Sequence, residues 1–156
     1  MSLFAKLQED AIIPTRATTH SAGYDLHTTV DVIIKPNDWL AGPVIVPTGV
    51  TCMPPVGYHG QIWAKSGKAK LGILKLAGVI DGDYAPNEIM VLLTNLGDSE
   101  VVFNKGDKIA QIIFVPYYSE EDVSAVRVGG FGSTDTLTQR VSPPVSIESM
   151  LTQPSI

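Results

Sequence analysis

The sequence has 156 residues, of which 44% are hydrophobic and 17% are charged. This composition suits one domain with a buried core and excludes a largely disordered chain. The net charge of −5 and the lack of any basic run exclude a protein that wraps the backbone of a nucleic acid.

Cysteine content and the start of the chain favour an intracellular protein. Cys52 is the single cysteine, so it cannot form an internal disulfide, and we expect it to be a small buried hydrophobe. The first ten residues lack the apolar core of a signal peptide, and no stretch reaches the length of a membrane span. We therefore predict a location in the cytoplasm or nucleus and no membrane partner.

Most of the chain is predicted to form short β-strands. Apolar and β-branched runs end at turn residues about every ten residues, which is the spacing of a sandwich or barrel. One short helix is predicted over residues 67–71, with Ser66 as its N-cap. The result is a mainly β, single-domain jelly roll or distorted β-barrel. Strands are predicted over residues 30–34, 44–46, 49–53, 60–64, 89–94, 100–103 and 109–115.

The end of the chain differs in composition from the rest. Residues 141–156 are rich in Ser, Pro, Thr and Gln and contain no Gly. We predict a β domain over residues 1–138 and a tail over residues 139–156, which is extended or bound to a partner.

Five segments combine Gly with polar side chains in ways that a simple sandwich does not need. The first spans residues 22–26 and, taken alone, indicates a strand start with Asp25 at the surface. The second spans residues 64–69, where Ser66 lies at a helix start whose N–H groups favour an anion and Lys65 adds positive charge. An ordinary N-cap explains this second segment equally well.

The third segment, residues 78–84, contains two acids and an aromatic residue in a predicted hairpin. Asp and Gly suit a turn for geometric reasons alone. Asp81, however, ends an apolar strand, and a partly desolvated carboxylate at such a place is basic enough to activate water. Asp83 is better suited to shaping the turn.

The fourth segment, residues 105–111, leads into an apolar strand that contains Gln111. A buried amide needs hydrogen-bond partners, and backbone groups are favoured over a ligand phosphate. The fifth segment, residues 127–134, surrounds Phe131 with glycines and begins at Arg127. Such a loop can close over phosphates while its ring stacks on a base, whereas a flexible linker has no use for either side chain.

In this order, the five segments resemble the five motifs of the homotrimeric dUTP pyrophosphatase family, over residues 22–134. The most specific parts are residues 78–84 and 129–134. The resemblance implies a jelly roll, a homotrimer with shared active sites, and Mg²⁺-dependent hydrolysis of dUTP to dUMP and pyrophosphate. This reaction lowers dUTP and supplies dUMP for thymidylate synthesis. Water would attack the α-phosphorus while the metal neutralises charge on the phosphate oxygens.

The resemblance also implies a role for each matching residue. Asp81 would be the base that activates water, and Asp25 would help hold the hydrated metal. The implied substrate ligands are Lys65, Ser66, Gly67 and Gln111 at the phosphates, Gly78, Val79, Ile80 and Met90 at uracil, Asp81 and Tyr84 at the deoxyribose, Arg127 at the γ-phosphate, and Phe131, Gly132, Ser133 and Thr134 in the closing loop, where Phe131 caps the base.

Several positions depart from the family pattern. Lys65 stands where Arg is usual, so a point charge replaces a bidentate fork. The turn after Tyr84 is one residue longer before its acid, and Arg127 lies four rather than five residues before Phe131. Lys75 stands where some members carry an Asn that reads uracil. The tail extends beyond the usual end of the family, and we expect it to dock on a neighbouring subunit or another partner.

Three alternatives fit part of the sequence. A dCTP deaminase of the same fold would need a further acid–base residue near the base-reading hairpin, and none is evident there. A nucleotide- or partner-binding module with reduced or no turnover fits the changes at Lys65 and Arg127, but not the presence of Asp81, Tyr84 and Phe131. A purely structural jelly roll leaves the five ordered motifs unexplained.

Overall fold

A computed structural model of the protein describes residues 2–36 and 42–120. Within these residues, eleven strands and one helix follow one another along the chain. They are β1 (Phe4–Lys6), β2 (Tyr24–His27), β3 (Val32–Ile34), β4 (Val44–Pro47), β5 (Val50–Cys52), β6 (Tyr58–Trp63), α1 (Ser66–Ala69), β7 (Ile73–Lys75), β8 (Val79–Ile80), β9 (Met90–Asn95), β10 (Val101–Phe103) and β11 (Lys108–Pro116).

The described strands form four sheets, in which every pairing is antiparallel. The largest sheet has the order β2-β11-β6-β8, and a three-stranded sheet has the order β4-β9-β7. Two further pairs join β1 to β5 and β3 to β10. Pairing of strands that are distant in sequence, such as β2 with β11, is typical of the predicted jelly roll.

One cluster of buried apolar side chains draws on all four sheets. Burial alternates along β9, which buries Val91, Leu93 and Asn95 and leaves the residues between them partly exposed. This period of two follows from the pleat of a strand with one face on the core. Full burial of a side chain such as Leu93 contributes about 1.5–3 kcal/mol, so the inward faces hold the sheets together.

Each strand predicted from the sequence is present, with its bounds shifted by no more than two residues. The sequence analysis does not predict β1 and β7, which are each three residues long. The mainly β architecture with one short helix is confirmed.

The helix start and the predicted hairpin are both corrected by the structure. Lys65 occupies the N-cap position with an extended backbone, φ −83° and ψ 135°, and α1 begins at Ser66 with no side-chain cap. The Lys65 carbonyl accepts the first helical hydrogen bonds, from the N–H groups of Lys68 and Ala69. After β8, residues 81–89 connect two different sheets, because β8 pairs with β6 while β9 pairs with β4 and β7. Sheet pairing has therefore overridden the local turn signal.

In the part of the chain that the structure describes, no helix has the length and apolar character needed to cross a membrane. The predicted boundary at residue 138 and the tail over residues 139–156 lie outside the described residues. The division into domain and tail, and the intracellular location, therefore stay predictions.

Candidate active site

Three adjacent strands bring the first, second and fourth sequence motifs together. In the ladder between β2 and β11, Gln111 pairs with Asp25. In the ladder between β11 and β6, the same Gln111 pairs with Trp63. Because Lys65 and Ser66 follow Trp63 within three residues, the sheet places the predicted metal ligand, the amide and the helix start side by side.

Asp25 is buried, so the expectation of a surface acid is wrong. The residue is 3% exposed. Its Oδ1 accepts a hydrogen bond from Nζ of Lys65, and its Oδ2 forms an ion pair with Nζ of Lys108 at 2.7 Å. Charge pairing makes this burial possible, because an unpaired carboxylate at such a position would be strongly disfavoured.

A β-bulge places Lys108 against Asp25. The register of β11 against β2 shifts between Lys108, which pairs with His27, and Ala110, which pairs with Leu26. A bulge of this kind re-aims the side chains next to it. Sequence reasoning missed Lys108 as a site residue, since an irregular pairing between distant strands leaves no signal in the sequence.

The pKa values of Asp25 and His27 shift in the directions that burial and charge pairing dictate. Burial alone would raise the pKa of Asp25, but hydrogen bonds from Lys108 and Lys65 outweigh it and hold the pKa below the ordinary value of 3.8. Burial lowers the pKa of His27 below 6.5, and the two lysines add to this effect while Asp25 opposes it. At pH 7, Asp25 is therefore an anion and His27 is neutral.

The Gln111 side chain is held between a backbone carbonyl and a glycine. Its Nε2 donates a 3.3 Å hydrogen bond to the carbonyl oxygen of Ala64, so the half-buried amide has the backbone partner that the sequence analysis favours. A Cβ atom at Gly23 would overlap Oε1 and Cδ of this side chain. Glycine at position 23 therefore leaves the space that the amide occupies.

A cavity of about 600 Å³ opens beside this cluster, and we call it the cradle cavity. Lys65, Lys68 and Lys108 make its lining positive, against the single acid Asp107. The four-residue helix has only a small dipole. The attraction for an anion therefore comes from the lysines and from the N–H groups at the start of α1 that make no helical hydrogen bond. All four residues predicted to bind phosphate line the cavity: Lys65, Ser66, Gly67 and Gln111.

Asp81 and Asp83 line a different cavity, of about 490 Å³, which we call the Asp81 cavity. Its other walls come from the segment before β6 and the end of β11, including Tyr58 and Tyr117. Asp81 is half-buried there, and Asp83 is exposed. The Asp81 cavity and the cradle cavity share no lining residue.

The two cavities lie at opposite ends of β6. Ile80 of β8 pairs with Gly60 of β6. Asp81 follows Ile80 and therefore lies beside the beginning of β6. Ser66 follows the other end of that strand, which ends at Trp63. At about 3.3 Å per residue, the strand spans on the order of 13 Å between these two levels. On this estimate, one chain does not bring the predicted base next to a phosphate held in the cradle cavity.

The residues predicted to read uracil lie at the joint between two sheets. Gly78 has a φ of 148°, and a Cβ atom there would lie 2.6 Å from Cβ of Ile62, so only glycine fits before β8. Val79 is exposed and Ile80 is buried, while Met90 is half-buried at the start of β9. Because β8 pairs with β6 and not with β9, these residues do not form the hairpin predicted from the sequence.

The connection from β8 to β9 is anchored at its far end. Oε1 of Glu88 accepts hydrogen bonds from the N–H groups of Thr48 at 3.0 Å and Gly49 at 2.6 Å. Tyr84 is 4% exposed, and its hydroxyl donates to the carbonyl oxygen of Glu88 at 2.8 Å. The segment that carries Asp81 is therefore held against the turn between β4 and β5, with most of the Tyr84 ring inside the protein.

The remaining predicted ligands fall outside the described part of the chain. Lys75, which departs from the family pattern, lies within the described residues. Its Nζ lies 5.6 Å from the centroid of the Trp63 ring. The residues that cannot be placed are Arg127, Phe131, Gly132, Ser133 and Thr134.

The donor groups beside the cradle cavity fit a magnesium ion held mainly by a substrate. Among residues 2–36 and 42–120, no group of three or more His, Cys, Asp or Glu side chains is arranged to hold a metal. Asp25 supplies one carboxylate, and Mg²⁺ commonly combines one or two carboxylates with several waters and phosphate oxygens. Both Asp25 oxygens already contact lysines, so the residues present fit a hydrated Mg²⁺ that would enter together with phosphates and would contact Asp25 only through water.

Known proteins resemble the chain in sequence over most of its length. The sequence profile of the dUTPase family matches residues 9–137. The deoxyuridine 5'-triphosphate nucleotidohydrolase of Hydrogenobaculum sp. (strain Y04AAS1) is 41% identical over 143 residues, which cover 85% of this chain and 96% of that protein.

Solved structures share the fold. The native EIAV dUTPase superposes with a TM-score of 0.65 at 30% identity, covering 78% of this chain and 93% of that chain. A variant of the dUTPase from phage phi11 of S. aureus, in which a structural Mg(II) ion is coordinated, superposes with a TM-score of 0.67 at 23% identity, covering 78% and 94%. The matching profile, the sequence relative and the common fold together show that the chain belongs to the dUTPase family.

Proposed function

We propose that the protein hydrolyses dUTP to dUMP and pyrophosphate in a homotrimer whose active sites are shared between subunits. The observation that carries this proposal is the separation of Asp81 from the phosphate ligands at opposite ends of β6. Two half-sites that cannot meet within one chain form a complete site when the cradle cavity of one subunit faces the Asp81 cavity of another. The activity named for the Hydrogenobaculum relative supports dUTP as the substrate.

The cradle cavity binds the triphosphate. Lys65 acts as a point charge on the phosphate oxygens, while the Ser66 hydroxyl and the Gly67 N–H donate hydrogen bonds at the start of α1. Gln111 completes the polar lining on the β11 side. The excess of lysine over acid in the cavity attracts the anionic substrate.

Magnesium is the expected cofactor of this half-site. Asp25 would help to hold the hydrated ion through water. When bound, the ion neutralises the charge that develops as pyrophosphate leaves.

Asp81 of a neighbouring subunit activates the attacking water. Its carboxylate accepts a proton as the water oxygen bonds to the α-phosphorus, and the bond from that phosphorus to the bridging oxygen breaks. The electron pair of the broken bond leaves with pyrophosphate. The small exposed part of Tyr84 contacts the deoxyribose and leaves no room for a 2′-hydroxyl. Uracil is read by backbone groups of Gly78, Val79, Ile80 and Met90.

A third subunit closes the site with its Gly-rich loop. Arg127 meets the γ-phosphate, and Phe131 caps the uracil by stacking. Gly132, Ser133 and Thr134 belong to the same loop. The tail over residues 139–156 docks on a neighbouring subunit or another partner, so deletion of residues 140–156 should change assembly or partner binding.

Release of pyrophosphate from each common deoxynucleoside triphosphate, with and without Mg²⁺, tests the proposed function. We expect release from dUTP in the presence of Mg²⁺, and UTP is the matched control for exclusion of a 2′-hydroxyl. Ammonia release from dCTP would indicate a deaminase instead. Binding of dUTP with no pyrophosphate release would indicate a binding module.

A further inference from the structure

The carboxylate of Asp25 is paired with two lysines, although one would neutralise it. Lys65 contacts Oδ1, and Nζ of Lys108 lies 2.7 Å from Oδ2. The Asp25 side chain is 4% exposed, whereas the side chains of Lys65 and Lys108 are 28% and 50% exposed, so solvent screens the two lysines more than the carboxylate. Two ammonium groups on one carboxylate repel each other and leave a net positive charge. Neutralisation of Asp25 alone therefore does not explain the second lysine.

Both lysines line the cradle cavity, but they lie on different elements. Lys65 directly precedes Ser66 and Gly67, and these three residues line the cavity together. Lys108 lies on β11, at the β-bulge that turns its side chain toward Asp25. The Ser66 hydroxyl and the Gly67 N–H group would hold a phosphate beside Lys65. Lys65 is therefore the lysine that is placed to move its ammonium group from Asp25 to that phosphate.

The transfer of Lys65 to a phosphate depends on what remains at Asp25. If Lys65 left and no other cation stayed, a buried carboxylate would be unpaired, which is strongly disfavoured. With Lys108 in place, one ion pair persists and the repulsion between the two lysines ends. Lys108 thus lowers the free energy needed to release Lys65.

We propose that Lys108 is a positioning residue, which keeps the buried Asp25 carboxylate paired while Lys65 moves to the phosphates of the bound nucleotide. The inference rests on the proposed function, because its ligand is the dUTP triphosphate, and it adds a residue that the sequence motifs leave unassigned. Lys108 acts through Asp25, so its effect on nucleotide binding requires the Asp25 carboxylate. A lysine that contacted phosphate directly would have no such requirement.

A double-mutant cycle tests this dependence by measuring the affinity of the full chain for a non-hydrolysable imido analogue of dUTP, with and without Mg²⁺. Lys108→Met removes the charge at similar length, and Asp25→Asn removes the carboxylate charge at similar shape. We expect Lys108→Met alone to weaken binding by about tenfold or more, because Asp25 then competes with the phosphates for Lys65. In the Asp25→Asn background, the same change should weaken binding by less than about threefold.

Matched variants separate this effect from a general loss of charge or packing. Lys105→Met is the control, because Lys105 lies three residues earlier and pairs with Asp10 outside the cavity. Its affinity should equal that of the wild type. Lys108→Arg should restore most of the affinity, since a guanidinium also pairs with a carboxylate. Equal losses from Lys108→Met in both backgrounds would overturn the proposal and make Lys108 a direct phosphate ligand.

Two further results distinguish failed folding and a wrong function from a wrong inference. If Lys108→Met does not fold, a structure of the wild-type chain with the analogue decides. Lys65 on phosphate with Lys108 on Asp25 supports the proposal, and any other arrangement overturns it. If the wild-type protein neither binds the analogue nor hydrolyses dUTP, the proposed function fails and the inference fails with it. If the wild-type protein hydrolyses dUTP but Lys108→Met weakens binding equally in both backgrounds, the proposed function is supported and the inference about Lys108 is wrong.

Discussion

Side chains around Asp25 show that position decides charge as much as residue type does. Burial alone would raise the pKa of Asp25, yet its two lysine partners keep it ionised. His27 lies two residues further along β2, where burial lowers its pKa, and its Nδ1 has no hydrogen-bond partner among the described residues. A protonated His27 would add a third positive charge beside Lys65 and Lys108, so the folded protein favours the neutral ring.

We expect His27 to make stability fall as the pH drops below its ordinary pKa of 6.5. The folded-state pKa is lowered, so in this window the unfolded chain binds a proton that the folded chain does not, and acid favours unfolding. The slope from one such group is at most about 1.4 kcal/mol per pH unit. Urea unfolding of wild type and His27→Gln between about pH 5 and 7.5, in metal-free buffer, measures the difference. Parallel pH profiles would refute this role of His27.

Asp81→Asn should retain nucleotide binding and lose turnover by about a hundredfold or more, as the loss of a general base does. The amide keeps the size of the side chain but cannot accept the proton from water. Steady-state pyrophosphate release measures turnover, and calorimetry with the imido analogue measures binding. Asp83→Asn is the matched control, because Asp83 lies in the same cavity but is exposed. Undiminished turnover in Asp81→Asn would remove Asp81 from the base role.

At the scale of elements, contacts between distant segments fix the site. The Glu88 carboxylate ties the connection after β8 to the turn between β4 and β5. Gly23, just before β2, gives the Gln111 side chain of β11 the space it needs. Each half-site is thus held by a neighbouring strand or turn. A small change in that neighbour should therefore alter the geometry of the site.

Gly23→Ala should displace the Gln111 amide while leaving the fold intact. The new Cβ would overlap the flexible end of Gln111, which can swing away at small cost to stability. We expect weaker binding of the dUTP analogue, with a melting temperature within a few degrees of the wild type. In the Gln111→Ala background, the same Gly23→Ala change should have little further effect on binding. An equal loss in both backgrounds would show that Gly23 acts by another route.

The sequence predicts which segments are strands better than it predicts their partners. The runs that form β9 and β11 show apolar and β-branched residues over six and nine positions, which is enough to identify them. The pairing of β8 depends on the whole sheet, so the hairpin expected after Ile80 is a connection between sheets. The motifs likewise identify Asp25 and Gln111, but not the bulge that brings in Lys108.

At the scale of the whole molecule, we propose that one chain presents two incomplete half-sites. The resemblance to a trimeric family implies shared sites, and the length of β6 supplies a physical reason why one chain does not suffice. Exposed apolar side chains on and beside β7 and β8, such as Leu74, Leu76 and Val79, offer surface suited to subunit contact. The order of the motifs along the chain carries no information about which subunit supplies each part.

Co-refolding of two inactive variants tests the shared site most directly. One chain carries Asp81→Asn, and the other carries Lys65→Met together with Ser66→Ala. If each site takes its cradle cavity from one subunit and its Asp81 from another, about one quarter of the sites in randomly mixed trimers are intact. Hydrolysis of dUTP should then return to about a quarter of the wild-type rate. Activity that stays at the level of the separate variants, in trimers shown to contain both chains, would contradict a shared site.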